Sequence, residues 1–223
     1  MKKMSNIMKT LIVGVLSTVM LIGCGQAFDA SGYVKAILDV SYKGETAKYM
    51  ELTNSTEEEA NEIYQGNLEY NMNEFSTMPF SDEMQQNYEQ LFKDMMSKTK
   101  YTVGEARETE NKNYEVDVTI ETMNIMDDAT YEEFITKSEE YGQQVQNDVA
   151  NGGTMPSEDE IQMKIFEIYY NLLREKVDAG LTYEEPQVVT VRVEKDSNNV
   201  YTVSEEDLTA LDEAMFTMTD LAE

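Results

Sequence analysis

The chemistry open to this chain is bounded by what its 223 residues include and lack: 44 carboxylates, one cysteine, and neither histidine nor tryptophan. Without imidazole, and with a single thiol, zinc and copper sites built on those groups are excluded, as are Ser-His-Asp and Cys-His catalysis. A lone cysteine also forms no disulfide within the chain. The sequence implies no cofactor, no metal centre and no catalytic residue. The carboxylates remain. Tyr114, Val116, Val118 and Ile120 alternate with Glu115, Asp117, Thr119 and Glu121, the period of a strand with one wet face. That puts Glu115, Asp117 and Glu121 on one side, with like-signed neighbours ~7 Å apart, a candidate cation site or a place for mutually raised pKa values. The plainer reading is a solvated sheet face. Asp127-Asp128, Glu158-Asp159-Glu160 and Asp196-Ser197-Asn198-Asn199 lack the alternating ligands, central Gly and terminal Glu of a calcium loop, and read as helix caps and turns.

The cysteine has its own context. Residues 1–9 form a short head carrying Lys2, Lys3 and Lys9 and no acid, and Thr10–Gly23 is a stretch of 14 uncharged, mostly apolar residues. A basic head before a short apolar core is the layout of a signal peptide. As a helix it would reach only ~21 Å, short of a ~30 Å hydrocarbon core, so a permanent span is the weaker reading. The core ends in Leu21-Ile22-Gly23-Cys24, which resembles the lipobox of bacterial lipoproteins. The resemblance implies cleavage between Gly23 and Cys24, and diacylglycerol on the Cys24 thiol. Two acyl chains hold a protein stably on a bilayer where one is marginal.

Loss of residues 1–23 removes three lysines, leaving 200 residues and taking the net charge from −27 to −30. Such a domain is repelled by nucleic acid and anionic headgroups. Its partners would be cations, a basic protein or peptide, or a neutral ligand; the charge itself first serves solubility. Apolar residues at 41% and 14 tyrosines argue for a packed core rather than disorder.

The elements that must position these groups follow from periodicity. A first helix is expected from about Ala30 to Tyr42, with Tyr33, Val34, Ile37, Leu38 and Ser41 on one side and Gly44 as its stop. A second opens at a capping box of Ser55 with Glu58, and a third is capped by Ser81. Tyr101–Val103 and the strand from Tyr114 form a hairpin around 108–113. Helices return from about Tyr131, and from Ser157, whose Glu160 completes a second capping box. Val188–Val193 and Val200–Val203 form a second hairpin, and Ser204 caps a last helix. Most of the 12 methionines beyond residue 24 fall on apolar stripes, as core filler. The expected class is α+β: about six helices, mainly on one face of a small antiparallel sheet made by two hairpins. Residues 28–221 would be a single acidic domain behind a short tether at 24–27. Tyr-Thr-Val at 101–103 and again at 201–203 raises a duplication of 28–125 and 128–216.

Phe28–Val34, Tyr42-Lys43-Gly44, the acidic helix start from Ser55 to Tyr64, and Tyr101–Ala106 resemble a family of uncharacterised lipoproteins of Gram-positive bacteria. The resemblance spans most of residues 28–216 and brings no activity or site residues with it. It implies a chain anchored through Cys24 on the extracytoplasmic face of the cell membrane. The expected role is a noncatalytic binding or assembly module. The rivals are a carboxylate-dependent wall hydrolase, which would need paired acids, and a cation-responsive surface sensor.

Overall fold

The computed structural model of the chain describes residues 28–73, 75 and 78–218. Helix α1 (Ala30–Lys43) stands at its centre. Its polar residues Ser31, Lys35, Asp39 and Lys43 recur every fourth position on one narrow stripe, where Lys35 alone of the helix is exposed, and the remaining apolar sides must be covered. Accordingly Tyr33, Val34, Ala36, Ile37, Leu38, Val40 and Tyr42 are all buried. Asp29 caps its start by accepting the Gly32 N–H, and Gly44 ends it at φ 65°, a left-handed turn that favours glycine.

Three helices follow: α2 (Ala47–Thr53), α3 (Glu57–Asn73) and α4 (Asp82–Ser97). The short α2 was not anticipated, because seven residues carry too few turns to show a period. The box opening α3 lies one residue later than expected: Thr56 and Glu59 exchange the two capping bonds, at 2.8 and 3.2 Å. Ser55 instead has its hydroxyl engaged by Thr53 at 2.8 Å. Ser81 caps α4 as expected.

The strands β1 (Lys100–Val103), β2 (Arg107–Glu108), β3 (Tyr114–Glu121), β6 (Gln187–Lys195) and β7 (Tyr201–Val203) form one antiparallel sheet. Its order is β1-β3-β6-β7, with β2 beside β3 below the break at residues 104–106. The Gly104 N–H donates to the Asp117 carbonyl at 2.8 Å, and a Cβ there would sit 3.1 Å from that oxygen. Both expected hairpins are present, and β3 joins them into one sheet by pairing with β6, Val116 opposite Val191 and Val118 opposite Val189. Val116, Val118, Ile120, Val191 and Val193 are buried on the inner face, where the helices gather. The two Tyr-Thr-Val segments are the edge strands β1 and β7. One precedes its long partner and the other follows it.

Between the sheet strands lie β4 (Met123–Met126), α5 (Asp128–Ala150), α6 (Glu158–Ala179) and β5 (Thr182–Tyr183), and the chain continues through α7 (Glu205–Met215) into β8 (Phe216–Met218). Strands β5-β4-β8 make a small second sheet in which β4 and β8 run parallel. The described residues thus hold seven helices and two sheets, an α+β fold. Helix α7 closes the open edge of β6: past Val203 no strand among the described residues pairs with it, and Asp207 accepts the Arg192 backbone N–H at 2.7 Å. A covered edge offers no template for another chain. Against α1 on the far side, Phe75, Phe80, Tyr88, Phe92 and Phe166 form an aromatic cluster joining α4 to α6.

Truncating the central helix should therefore be costly. Leu38, with no exposed surface, should lose about 2–5 kcal/mol as Leu38→Ala. Val188→Ala, on the exposed outer face, should stay within about 0.5 kcal/mol of wild type. Urea unfolding of the two variants measures both.

Candidate functional site

The outer face of the large sheet carries the three acids singled out by their alternation. Register places Glu115 opposite both Arg107 and Arg192, and Asp117 opposite Thr190. Arg107 grips Asp117 through both guanidinium nitrogens, at 2.5 and 2.9 Å, and reaches Glu115 at 3.5 Å. Thr190 adds a hydroxyl donor to Asp117 at 2.8 Å. These contacts, the Arg107 hydrogen bond foremost, hold the Asp117 carboxyl down at about 2. Glu121 stands four residues further along β3, ~13 Å away, and pairs with Lys100 at 3.5 Å. Glu115 and Asp117 thus share one guanidinium, while Glu121 belongs to a separate pair. No group of three or more His, Cys, Asp or Glu side chains among the described residues is arranged to hold a metal ion.

Arg174 and Arg192 are used in the same way as Arg107. Arg174 joins Asp94 of α4 to Asp178 of its own helix, both at 2.5 Å. Arg192 joins Asp207 and Glu206 at 2.7 and 2.8 Å. Burial pushes the Asp207 carboxyl up, yet the hydrogen bonds from Arg192 and Ser204 leave it below its ordinary value. The acidic clusters take the roles of caps and turns. Asp127 caps α5 and binds Lys176 of α6 at 2.6 Å, Ser157 and Glu160 complete the capping box of α6, and Asp196 accepts the N–H groups of Asn198 and Val200.

Periodicity did not pick out the acids that lie deepest. Asp39, Asp207 and Asp212 are at most 7% exposed. Asp39 accepts from the Tyr101 hydroxyl at 2.7 Å and pairs with Lys35. Asp212 accepts from the Tyr42 hydroxyl at 2.5 Å, and burial together with this carboxylate pushes the Tyr42 phenol well above its usual range. The signal for Asp39 was its place inside the apolar run Ala36–Val40; Asp207 and Asp212 sit on a helix whose acids look like any surface set.

An open groove of about 310 Å³ runs between α5 and α6. Ile168 and Leu172 form its floor, with Lys137, Glu140, Lys164 and Glu175 on its walls. Lys137 is paired with Glu133 at 3.2 Å and Lys164 with Glu167 at 2.8 Å, and Glu140 and Glu175 are exposed. Such a surface suits a polar or mixed-charge contact. It lacks the desolvated acid that hydrolysis of a glycosidic bond requires. Gly23 and Cys24 lie outside the described residues. Among the described residues no helix is long and apolar enough to cross a membrane.

No protein-family model matches the chain, and no curated protein matches it in sequence. In three dimensions it is similar to the crystal structure of ycdA, a "putative lipoprotein" from Bacillus subtilis subsp. subtilis str. 168, with a TM-score of 0.56 over 85% of this chain. The two are 16% identical, and the match takes in 56% of the ycdA chain, so this protein spans little more than half of the structure it matches. The likeness is one of fold: an α+β architecture shared with a protein from a Gram-positive bacterium.

The clasp on the outer face has a measurable signature. In Arg107→Met the Asp117 carboxyl should titrate well above its wild-type value of about 2, toward the ordinary ~3.9. Its side-chain carbon shift, followed by NMR against pH, reads this directly, and an unchanged midpoint would mean that Arg107 does not set it.

Proposed function

We propose that the chain is a lipoprotein of the outer face of a Gram-positive cell membrane, anchored through diacylglycerol on Cys24. The exported domain serves as a noncatalytic binding or assembly module. The observation that carries this is Leu21-Ile22-Gly23-Cys24, standing where a short apolar core ends, with the only thiol of the chain at the acceptor position. The likeness of fold to ycdA supports the same reading. So does the use of the carboxylates: the deeply buried acids bond to tyrosine or arginine, and Asp29, Glu59, Asp127 and Glu160 close helix starts, so these acids are committed to the fold. The surface left for partners is acidic and includes the mixed-charge groove between α5 and α6. A basic protein or peptide, or a neutral ligand, fits that surface, and nucleic acid does not.

Replacing the acceptor thiol tests the anchor. Cys24→Ser should move the protein into the medium or leave it as uncleaved precursor, read by fractionation and immunoblotting. A Cys24→Ser chain that is cleaved and still sediments with membranes would overturn the proposal.

A further inference from the structure

We infer that the domain faces the bilayer with one defined pole, and that the long strands β3 and β6 lead away from the headgroups. The inference rests on lipidation of Cys24 and deepens that reading by naming the surface turned toward the lipid. Three residues, 25–27, separate Cys24 from Phe28, so the Cα atoms of Cys24 and Phe28 are at most about 14 Å apart whatever path the chain takes. Phe28 is fixed in the domain. Its ring is stacked on Tyr201 at 3.8 Å and 7°, and the rings of Tyr33 and Tyr114 stand 5.6 Å from it. The anchor is therefore attached where β3 and β7 begin.

The turns at this end are bound to one another and to the strands. The Ser31 hydroxyl donates to the Gly104 carbonyl at 2.8 Å, and the Lys195 N–H donates to the Asn113 side chain at 2.9 Å. Thr109 and Asn113 close the 109–113 turn, and Asp196 closes the 196–199 turn. Together they make a rim around Phe28. The other end of the sheet, at Glu121 and Val188, lies seven residues along β3 and β6, about 23 Å away.

Charge decides between standing and lying flat. The rim carries Asp29, Glu105, Glu108, Glu110 and Asp196 against Arg107, Lys112 and Lys195, and the chain beyond residue 23 carries −30 in all. Anionic headgroups repel these surfaces within a screening length of about 8 Å at physiological salt. The lipid tether opposes that repulsion at the pole alone. The far end of the sheet is free to move away, so the pole is the part kept nearest the headgroups.

The test uses the whole lipidated protein. Because acylation converts the Cys24 thiol to a thioether, Ser197→Cys and Val188→Cys each offer one reactive thiol, both at exposed positions. Each variant is labelled with a fluorophore and reconstituted into vesicles of phosphatidylcholine and phosphatidylglycerol that carry a headgroup nitroxide. Quenching at position 197 should exceed that at 188 several-fold. Protein that floats with the vesicles but is quenched equally at both positions, or more at 188, overturns the orientation and leaves the anchor standing. Protein that fails to float overturns both.

Discussion

A central helix with only a narrow polar strip toward water is the constraint from which the rest of this fold follows. Because its other sides are apolar, α1 has to be wrapped by α2 and α3 on one side and by the large sheet on the other, and most of its polar atoms find partners inside the protein. Asp39 and Tyr42 find them on β1 and α7, and the Tyr33 hydroxyl donates to the Tyr201 carbonyl at 3.3 Å. Each such bond is worth about 1 kcal/mol net, but leaving its buried group unpaired costs about 1–3 kcal/mol. Their main effect is thus to set one register of helix against sheet. The same wrapping places the start of α1 beside β3 and β7, which is why Phe28 reaches Tyr201.

Charge is the second constraint. With 44 acids and 17 bases, most carboxylates must meet solvent, and the few strong cations are used where two acids converge. Each arginine clasps two carboxylates, and in the case of Arg174 the clasp ties α4 to α6. The arrangement keeps acids close together on a folded surface. What remains exposed is a predominantly negative shell.

Much of this was legible in the residues. The alternation from Tyr114 to Glu121 marks β3 along its whole length, and the capping box of Ser157 with Glu160 marks the start of α6. Long periods and reciprocal caps survive folding because they are local. Ser55 and Thr56 show the limit: each hydroxyl has a glutamate three residues on, and only the packing of Thr53 against Ser55 selects Thr56. Strands β4, β5 and β8, of two to four residues, are held by pairing with distant segments and leave no period to read. The acids on β3 were placed on the correct face, but their pairing with Arg107 depends on β2 folding back beside β3. The groove between α5 and α6 arises from two helices whose separate sequences show only polar outer sides.

The proposed anchor on Cys24 is a chemical claim, and protein recovered from membranes carries the answer at its N-terminus. Intact mass spectrometry of that material should give the mass of residues 24–223 plus a diacylglyceryl group, with or without a further acyl chain on the amine. A mass equal to the unmodified full-length chain, or to a cleaved chain without lipid, would contradict it.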